Sequence, residues 1–124
     1  MAYKIAIVED DASISQMYRL KFESEGYQVV TAENGKQGLE VIKKNKPDLV
    51  LLDIMMPEMR GDEMLKIMRS TDWGKYIKVI ILTNVGKDEV NQEIKDMFIE
   101  DFIVKAHYTP QQVAKTVKAV LKSR

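Results

Sequence analysis

Three short apolar runs constrain the fold of this chain more than any other feature of its sequence. They cover residues 5–8, 49–52 and 79–82, and none alternates between apolar and polar residues. A strand without such alternation is buried on both faces, which is typical of a parallel sheet covered by helices. Two weaker strand candidates, residues 27–31 and 101–104, are predicted to lie nearer the sheet edges.

Segments with helical periodicity separate these strands. Residues 12–25 place Ile14, Met17, Tyr18 and Phe22 on one predicted face, and Gly26 follows where a helix commonly ends in a left-handed glycine. Helices are also predicted over the ranges 35–45, 61–70 and 87–97, and a last one begins at residue 110.

The start of the last helix carries the clearest local signal. Thr109 is a typical N-cap, Pro110 suits the first helical position, and Gln112 occupies the capping-box position. Five alternations of strand and helix therefore fill residues 1–124 as one domain. The predicted fold class is α/β, with a single doubly wound, five-stranded parallel sheet flanked by five helices and joined by right-handed crossovers.

Composition excludes several classes of function. The chain has no cysteine, which rules out disulfides, thiolate metal sites and cysteine nucleophiles. Its 19 basic and 19 acidic residues leave no net charge to attract nucleic acid or a membrane surface. The sequence shows neither a signal peptide nor an apolar run long enough to span a bilayer. A cytoplasmic protein without direct nucleic-acid or membrane contact is expected.

Acidic residues follow two of the predicted strands. Glu9, Asp10 and Asp11 come after the first strand, and Asp53 comes after the third. The carboxyl ends of parallel strands form the ligand-binding edge of an open α/β sheet, so these carboxylates are expected to meet there. Their mutual repulsion requires a cation, and hard oxygen ligands without His or Cys favour Mg²⁺.

Three side chains at this edge, Asp53 among them, suit phosphoryl transfer. The carboxylate of Asp53 can act as a nucleophile and form an aspartyl phosphate. Thr83, after the fourth strand, can donate a hydrogen bond to a phosphoryl oxygen. Lys105, after the fifth strand, can pair with the phosphate, or with Asp53 before phosphorylation. Each feature alone is more often structural, but together they occupy the ends of four strands of one sheet.

With these residues, the chain resembles the receiver domains of two-component response regulators over essentially its full length. The residues that carry the resemblance are Glu9-Asp10-Asp11, the Asp-x-x-x-Pro-x-x-x-Gly segment from Asp53 through Pro57 to Gly61, Thr83 at the end of Ile-Ile-Leu-Thr, and Lys105 at the end of Phe-Ile-Val-Lys.

The resemblance assigns roles to the acidic residues and to Met55. It implies that Asp53 is the phosphoacceptor, Asp10 a direct Mg²⁺ ligand, Glu9 a ligand through water, and Met55 a ligand through its carbonyl group. It implies a flavodoxin-like sheet of order 2-1-3-4-5. Apart from its own phosphorylation and dephosphorylation, such a domain catalyses no reaction and is not an enzyme.

The resemblance also implies how such a domain signals. The donor is a phosphohistidine on a sensor histidine kinase or a phosphotransfer protein. Thr83 and Phe102 match a switch pair that remodels the face formed by the fourth predicted helix, the fifth strand and the last helix. That face then contacts a downstream protein target.

Three residues depart from the family pattern. Ala106 replaces the proline that commonly follows the lysine, and a cis bond before alanine costs about 2.5–4 kcal/mol, so a trans bond is predicted. Phe98 stands where a small residue usually ends the fourth helix, so that end is predicted to differ. Arg60 replaces a frequent acidic residue and adds positive charge beside the acidic edge.

Two other functions remain open on the sequence. A phosphohydrolase with an aspartyl phosphate, similar to the haloacid dehalogenases, needs a carboxylate two residues after the nucleophile, where this chain has Met55. A receiver-like binding module that ignores phosphorylation is the other alternative.

Lys115, Lys118 and Lys122 share one face of the last helix. This face is predicted to be solvated rather than a docking surface for an acidic partner.

Overall fold

A five-stranded, fully parallel sheet forms the centre of the protein in the computed structural model, which describes residues 2–86, 90 and 92–123. The strand order is β2-β1-β3-β4-β5, which confirms the expected doubly wound, flavodoxin-like arrangement. The strands are β1 (Lys4–Val8), β2 (Gln28–Ala32), β3 (Leu49–Leu52), β4 (Lys78–Thr83) and β5 (Asp101–Val104).

Four α-helices cover the two faces of this sheet within the described ranges. They are α1 (Ala12–Ser24), α2 (Gly35–Asn45), α3 (Gly61–Arg69) and α4 (Pro110–Lys122), each within two residues of a predicted helix. Short 3₁₀ helices cover Gln92–Asp96 and Lys105–His107.

The predicted helix over residues 87–97 is the main difference from the sequence-based expectation. Residues 87–89 and 91 lie outside the described part of the chain, and the rest contains the 3₁₀ helix Gln92–Asp96 instead of an α-helix. A 3₁₀ helix aligns residues three apart, and Ile94 and Met97 are both buried in this way. The Met97 N–H donates to the carbonyl of Ile94 at 3.1 Å.

The central strands divide their side chains between two hydrophobic clusters. In β1, Ala6 and Val8 point into the cluster under α2 and α3, whereas Ile5 and Ile7 point into the cluster under α1 and α4. The same alternation runs through β3 and β4. Burial on both faces explains why the three apolar runs show no alternation in the sequence.

The prediction that Met17 lies on the buried face of helix α1 is wrong. Tyr18 and Phe22 are buried against the sheet, but Met17 is 41% exposed. Consecutive helical residues point about 100° apart, so Met17 falls at the edge of the face that Tyr18 occupies. The end of α1 follows the prediction, since Gly26 has a φ of +93° and its N–H donates to the carbonyl of Glu23 at 3.1 Å.

The loops next to β5 settle two further predictions. The Lys105–Ala106 peptide bond is trans, as expected. Phe98 takes a left-handed conformation with a φ of 55° although its side chain is bulky. The Arg69 guanidinium secures this turn, because it donates to the carbonyls of Met97 at 2.7 Å and Phe98 at 3.1 Å.

None of the helices in the described ranges combines the length and apolar character that a membrane-spanning segment requires.

Candidate functional site

The carboxylates of Glu9, Asp10 and Asp53 converge at the carboxyl ends of β1 and β3. The register pairs Val8 with Leu52, so the residues that follow each strand leave the sheet side by side. The Asp53 N–H donates to the carbonyl of Val8 at 3.0 Å, which fixes its backbone. One carboxylate oxygen from each of the three acids lies within 4.8 Å of the others.

Lys105 places its ammonium group between two of these acids. Its Nζ donates to Glu9 Oε1 and, at 3.2 Å, to Asp53 Oδ2. Burial opposes the charged form of Lys105, but the hydrogen bond to Glu9 and the charges of Asp53 and Glu9 outweigh it and raise the pKa of the ammonium. The predicted contact with Asp53 is therefore present, and the contact with Glu9 is one that sequence reasoning missed.

Glu9 is the most strongly perturbed acid of the site. Burial raises the pKa of its carboxyl group to about 7, and the nearby charge of Asp53 adds to the shift. The hydrogen bonds from Lys105 and from the backbone of Asp11 act in the opposite direction. A carboxyl group with this pKa is partly protonated at neutral pH while no cation is bound.

Asp11 has a different role from its two acidic neighbours. Its Oδ1 accepts the N–H of Ile14 at 3.0 Å and so caps α1. Its own N–H donates to Glu9 Oε2 at 3.2 Å and orients that carboxylate. Of the three consecutive acids, Glu9 and Asp10 belong to the convergent group and Asp11 does not.

Thr83 and Phe102 lie on the adjacent strands β4 and β5. Thr83 is buried at the end of β4, and its hydroxyl accepts the N–H of Val85 at 3.3 Å. The ring of Phe102 is half-buried and packs against the cluster under α2 and α3. The hydroxyl group thus lies at the carboxyl edge of the sheet, and the aromatic ring lies on the neighbouring edge strand β5.

Gly61 explains the last position of the Asp-x-x-x-Pro-x-x-x-Gly segment. Its N–H donates to the carbonyl of Ile54 at 2.8 Å, which folds the loop back onto the end of β3. A Cβ atom at this position would lie 1.9 Å from the carbonyl oxygen of Asp53. Only glycine permits this approach of α3 to the backbone of Asp53.

Arg60 and Met55 form the rim of the site on the side of α3. The Arg60 guanidinium binds both oxygens of the buried Asp62 carboxylate, each at 3.1 Å. Its Nη1 also lies 3.3 Å from the Met55 sulfur, while the Met55 N–H donates to Asp53 Oδ1 at 3.4 Å. The predicted positive charge at Arg60 is therefore present but is paired with Asp62, a partner that the sequence did not reveal.

The charges of the site fit a divalent cation. When all three are ionised, as a bound cation favours, the carboxylates of Glu9, Asp10 and Asp53 carry three negative charges, and the Lys105 ammonium neutralises one, which leaves two. The donor atoms are all hard oxygens, the type that Mg²⁺ prefers, and Asp10 is exposed enough for an ion to keep several waters. The residues present therefore fit such an ion.

A doubly wound parallel sheet with this carboxylate group and lysine at its carboxyl edge defines the class of receiver-like α/β domains. The sequence profile of the response regulator receiver domain matches residues 5–118, and the chain belongs to this family.

Known relatives agree with this assignment. Sporulation initiation phosphotransferase F of Bacillus subtilis is 43% identical over 97 residues, which cover 78% of this chain and 77% of the relative. The phosphate regulon transcriptional regulatory protein PhoB of Pseudomonas aeruginosa is 34% identical and aligns with 95% of this chain, which spans only 51% of that relative.

Solved structures show the same fold. Chemotaxis protein CheY4 of Vibrio cholerae superimposes with a TM-score of 0.88 at 31% identity, covering 97% of this chain and 99% of that one. A CheY-like receiver domain protein of Methanospirillum hungatei gives a TM-score of 0.89 at 27% identity, with 98% and 94% covered.

Proposed function

We propose that this protein is a phosphorylation-dependent switch of a two-component phosphorelay, with Asp53 as its phosphoacceptor. The observation that carries the proposal is the position of Asp53. Its buried carboxylate ends the central strand β3, within reach of two further carboxylates and of the Lys105 ammonium. The family membership supports it, because receivers are the response-regulator half of two-component systems.

The reaction is an in-line transfer from a phosphohistidine on a sensor histidine kinase or a phosphotransfer protein. A carboxylate oxygen of Asp53 attacks phosphorus, the phosphorus–nitrogen bond breaks, and the donor imidazole leaves. Catalysis here is mostly positioning and charge neutralisation. The Lys105 ammonium, 3.2 Å from Asp53 Oδ2 before transfer, pairs with the new phosphate, and the Thr83 hydroxyl donates to another phosphoryl oxygen.

Asp10, Asp53 and the carbonyl group of Met55 would hold Mg²⁺, with Glu9 acting through a bound water. When bound, the ion neutralises the charge that develops on the phosphoryl oxygens. The residual double negative charge of the carboxylates and Lys105 supports this assignment.

The signal leaves through protein–protein contact with a downstream target. Thr83 and Phe102 are the predicted switch pair; Thr83 ends β4, and Phe102 is the second residue of β5. A phosphate that draws the Thr83 hydroxyl inward would let the half-buried ring of Phe102 follow. The domain would act in the cytoplasm, without direct contact with nucleic acid or a membrane, and would turn over no other substrate.

Phosphorylation by a small acyl phosphate tests the proposal. With acetyl phosphate and Mg²⁺, intact-mass spectrometry should show one added phosphoryl group on the wild type and none on Asp53→Asn. Asp11→Asn is the matched control, because asparagine caps a helix as well as aspartate and Asp11 is not part of the convergent group. Equal labelling of Asp53→Asn would refute the assignment.

Two measurements separate the alternative functions. A binding module that ignores phosphorylation would hold its partner equally well with and without beryllofluoride, a phosphate mimic, because a ligand with no preference shifts no equilibrium. A phosphohydrolase would release phosphate from p-nitrophenyl phosphate at a steady rate. We expect no steady release of phosphate, since Met55 offers no acid or base two residues after Asp53.

A further inference from the structure

A groove of about 270 Å³ lies at the end of the sheet opposite the phosphoacceptor. Its walls come from Tyr76 and Ile77, just before β4, from Phe98, and from Glu100, just before β5. Since Asp53 lies at the carboxyl ends of the strands and the groove at their amino ends, the groove is separate from the acidic site.

Two aromatic side chains on this groove are almost fully exposed. Tyr76 is 87% exposed and Phe98 is 81% exposed, the highest values among the large apolar side chains of the described residues. Exposed aromatic rings of this kind leave apolar area in water that a bound partner would remove. Aromatic residues and arginine are also the residues that most often dominate binding energy at protein interfaces.

The groove has a positive charge balance. Three cations line it, Arg69, Lys75 and Lys78, against the single carboxylate of Glu100. Lys75 lies over the ring of Tyr76, 5.7 Å from its centroid, and pairs with the fully exposed Asp72 at 3.1 Å. Such an exposed pair contributes little and exchanges readily for another acidic group.

Arg69 is the most constrained of these cations. Its guanidinium donates to four carbonyls, those of Met97, Phe98, Gly74 and Ile77. It makes no ion pair within the described ranges, and its fifth N–H, on Nη2, meets no acceptor there. The Glu100 carboxylate, which also lines the groove, attracts this charge without forming an ion pair with it. A cation that is fixed in place and not bound to a carboxylate favours an acidic ligand.

We propose that this groove binds an acidic segment of a partner protein that also presents an apolar side chain. The apolar side chain would lie between Tyr76 and Phe98, and the carboxylates would face Arg69 and Lys75. This inference goes beyond phosphoacceptance and does not depend on it, because the groove contains no residue of the acidic site.

Titration with a defined peptide tests the proposal. The probe is a terminally blocked peptide of sequence Glu-Glu-Leu-Phe-Glu-Glu, added to the ¹⁵N-labelled full chain and followed by NMR. We expect saturable shifts of the backbone amides of Tyr76, Ile77, Lys78 and Phe98. The counterpart Lys-Lys-Leu-Phe-Lys-Lys should cause no such shifts, because it repels the cations of the groove.

Variants then locate the binding. Tyr76→Ser and Phe98→Asn should each raise the dissociation constant of the peptide roughly tenfold. Both should fold, since these rings are exposed and asparagine tolerates the left-handed conformation of residue 98. Charge reversal by Lys75→Glu should weaken binding further, whereas Lys118→Glu on α4 and Leu20→Ser on α1 are matched surface controls and should bind like the wild type.

Several outcomes would overturn the inference. NMR shifts confined to Lys115, Lys118 and Lys122 would mean that the peptide binds outside the groove. Unchanged affinity in Tyr76→Ser and Phe98→Asn would mean the same. Loss of binding in Asp53→Asn would also contradict it, since that residue lies at the opposite end of the sheet. Self-association in sedimentation experiments that the same two aromatic variants abolish would make a second copy of this chain the occupant.

Discussion

Glu9 has the clearest electrostatic consequence at the scale of single residues. Its folded-state pKa of about 7 lies above the ordinary value of 4.5, so the folded protein holds a proton that the unfolded chain has released between these pH values. The free energy of unfolding should therefore fall as the pH rises from about 4.5 to 7 in metal-free protein.

Glu9→Gln isolates this effect, because glutamine keeps an acceptor for Lys105 but does not titrate. Urea unfolding in EDTA at several pH values should show the wild type losing stability relative to Glu9→Gln across that window. A difference that stays constant with pH would contradict the raised pKa.

Gly61 gives a steric prediction next to the phosphoacceptor. In Gly61→Ala the new Cβ would lie 1.9 Å from the Asp53 carbonyl oxygen and 3.0 Å from the Ile54 Cα, so backbone must move. We expect a loss of about 3 kcal/mol or more in the free energy of unfolding and slower phosphorylation of Asp53. Urea unfolding and acetyl phosphate labelling measure the two effects.

Gly26→Ala is the control for this variant. A Cβ at Gly26 meets no atom within 4 Å, but the φ of +93° imposes strain of about 1 kcal/mol. Its phosphorylation rate should equal that of the wild type. A Gly61→Ala protein as stable and as rapidly labelled as Gly26→Ala would show that the close approach does not position Asp53.

The sequence predicted which side chains converge at the carboxyl edge better than how they contact one another. Asp53, Glu9, Asp10 and Lys105 could be located because each ends a recognisable strand. The contact of Lys105 with Glu9 could not, because the reach of a lysine depends on the exact position of β5 relative to β1 across two intervening strands. The Arg60 contact with Met55 likewise depends on loop geometry.

At the scale of elements, the capping box that the sequence predicted for α4 is present in the structure. Thr109 Oγ1 accepts the N–H of Gln112 at 3.2 Å, and the Gln112 side chain accepts the N–H of Thr109 at 2.8 Å, which completes the predicted capping box of α4. Both partners lie within four consecutive residues, so the sequence alone contains the whole interaction.

Thr109→Ala should destabilise the protein by about 1 kcal/mol, because the first turn of α4 loses its side-chain acceptor. Thr116→Ala is the matched control. The Thr116 hydroxyl only donates to the Gln112 carbonyl within the helix, so its removal should change stability little. Thermal unfolding of both variants measures the difference, and equal melting temperatures would argue against a stabilising role of the cap.

The connection between β4 and β5 shows where element prediction failed. Val90, Ile94 and Met97 have the spacing of an α-helical face and are all buried, so the pattern located the buried side chains but not the type of helix. The turn at Phe98 depends on Arg69, which is 29 residues away in sequence. Tertiary hydrogen bonds of this kind override local preference and leave no local signal.

At the scale of the whole molecule, the strand order of the sheet determines which residues meet at its carboxyl edge. Strand apolarity placed β2 and β5 at the edges correctly, whereas the full order 2-1-3-4-5 was implied by the family resemblance. This order brings Glu9 and Asp53 together, because β1 and β3 are neighbours although α1, β2 and α2 separate them along the chain. The acidic site thus depends on the global fold, and ligand binding there should stabilise that fold globally.

Magnesium titration measures this coupling between site and fold. An ion that binds only the folded state at a hundred times its dissociation constant stabilises that state by about 2.7 kcal/mol, so Mg²⁺ should raise the melting temperature of the wild type. Asp10→Asn should remove most of the increase by deleting one convergent carboxylate. Asp11→Asn removes the same charge from the next residue but keeps the cap of α1, and it should respond like the wild type. Equal responses of the two variants would mean that Mg²⁺ is attracted by the general acidity of this edge and not bound by the group that surrounds Asp53.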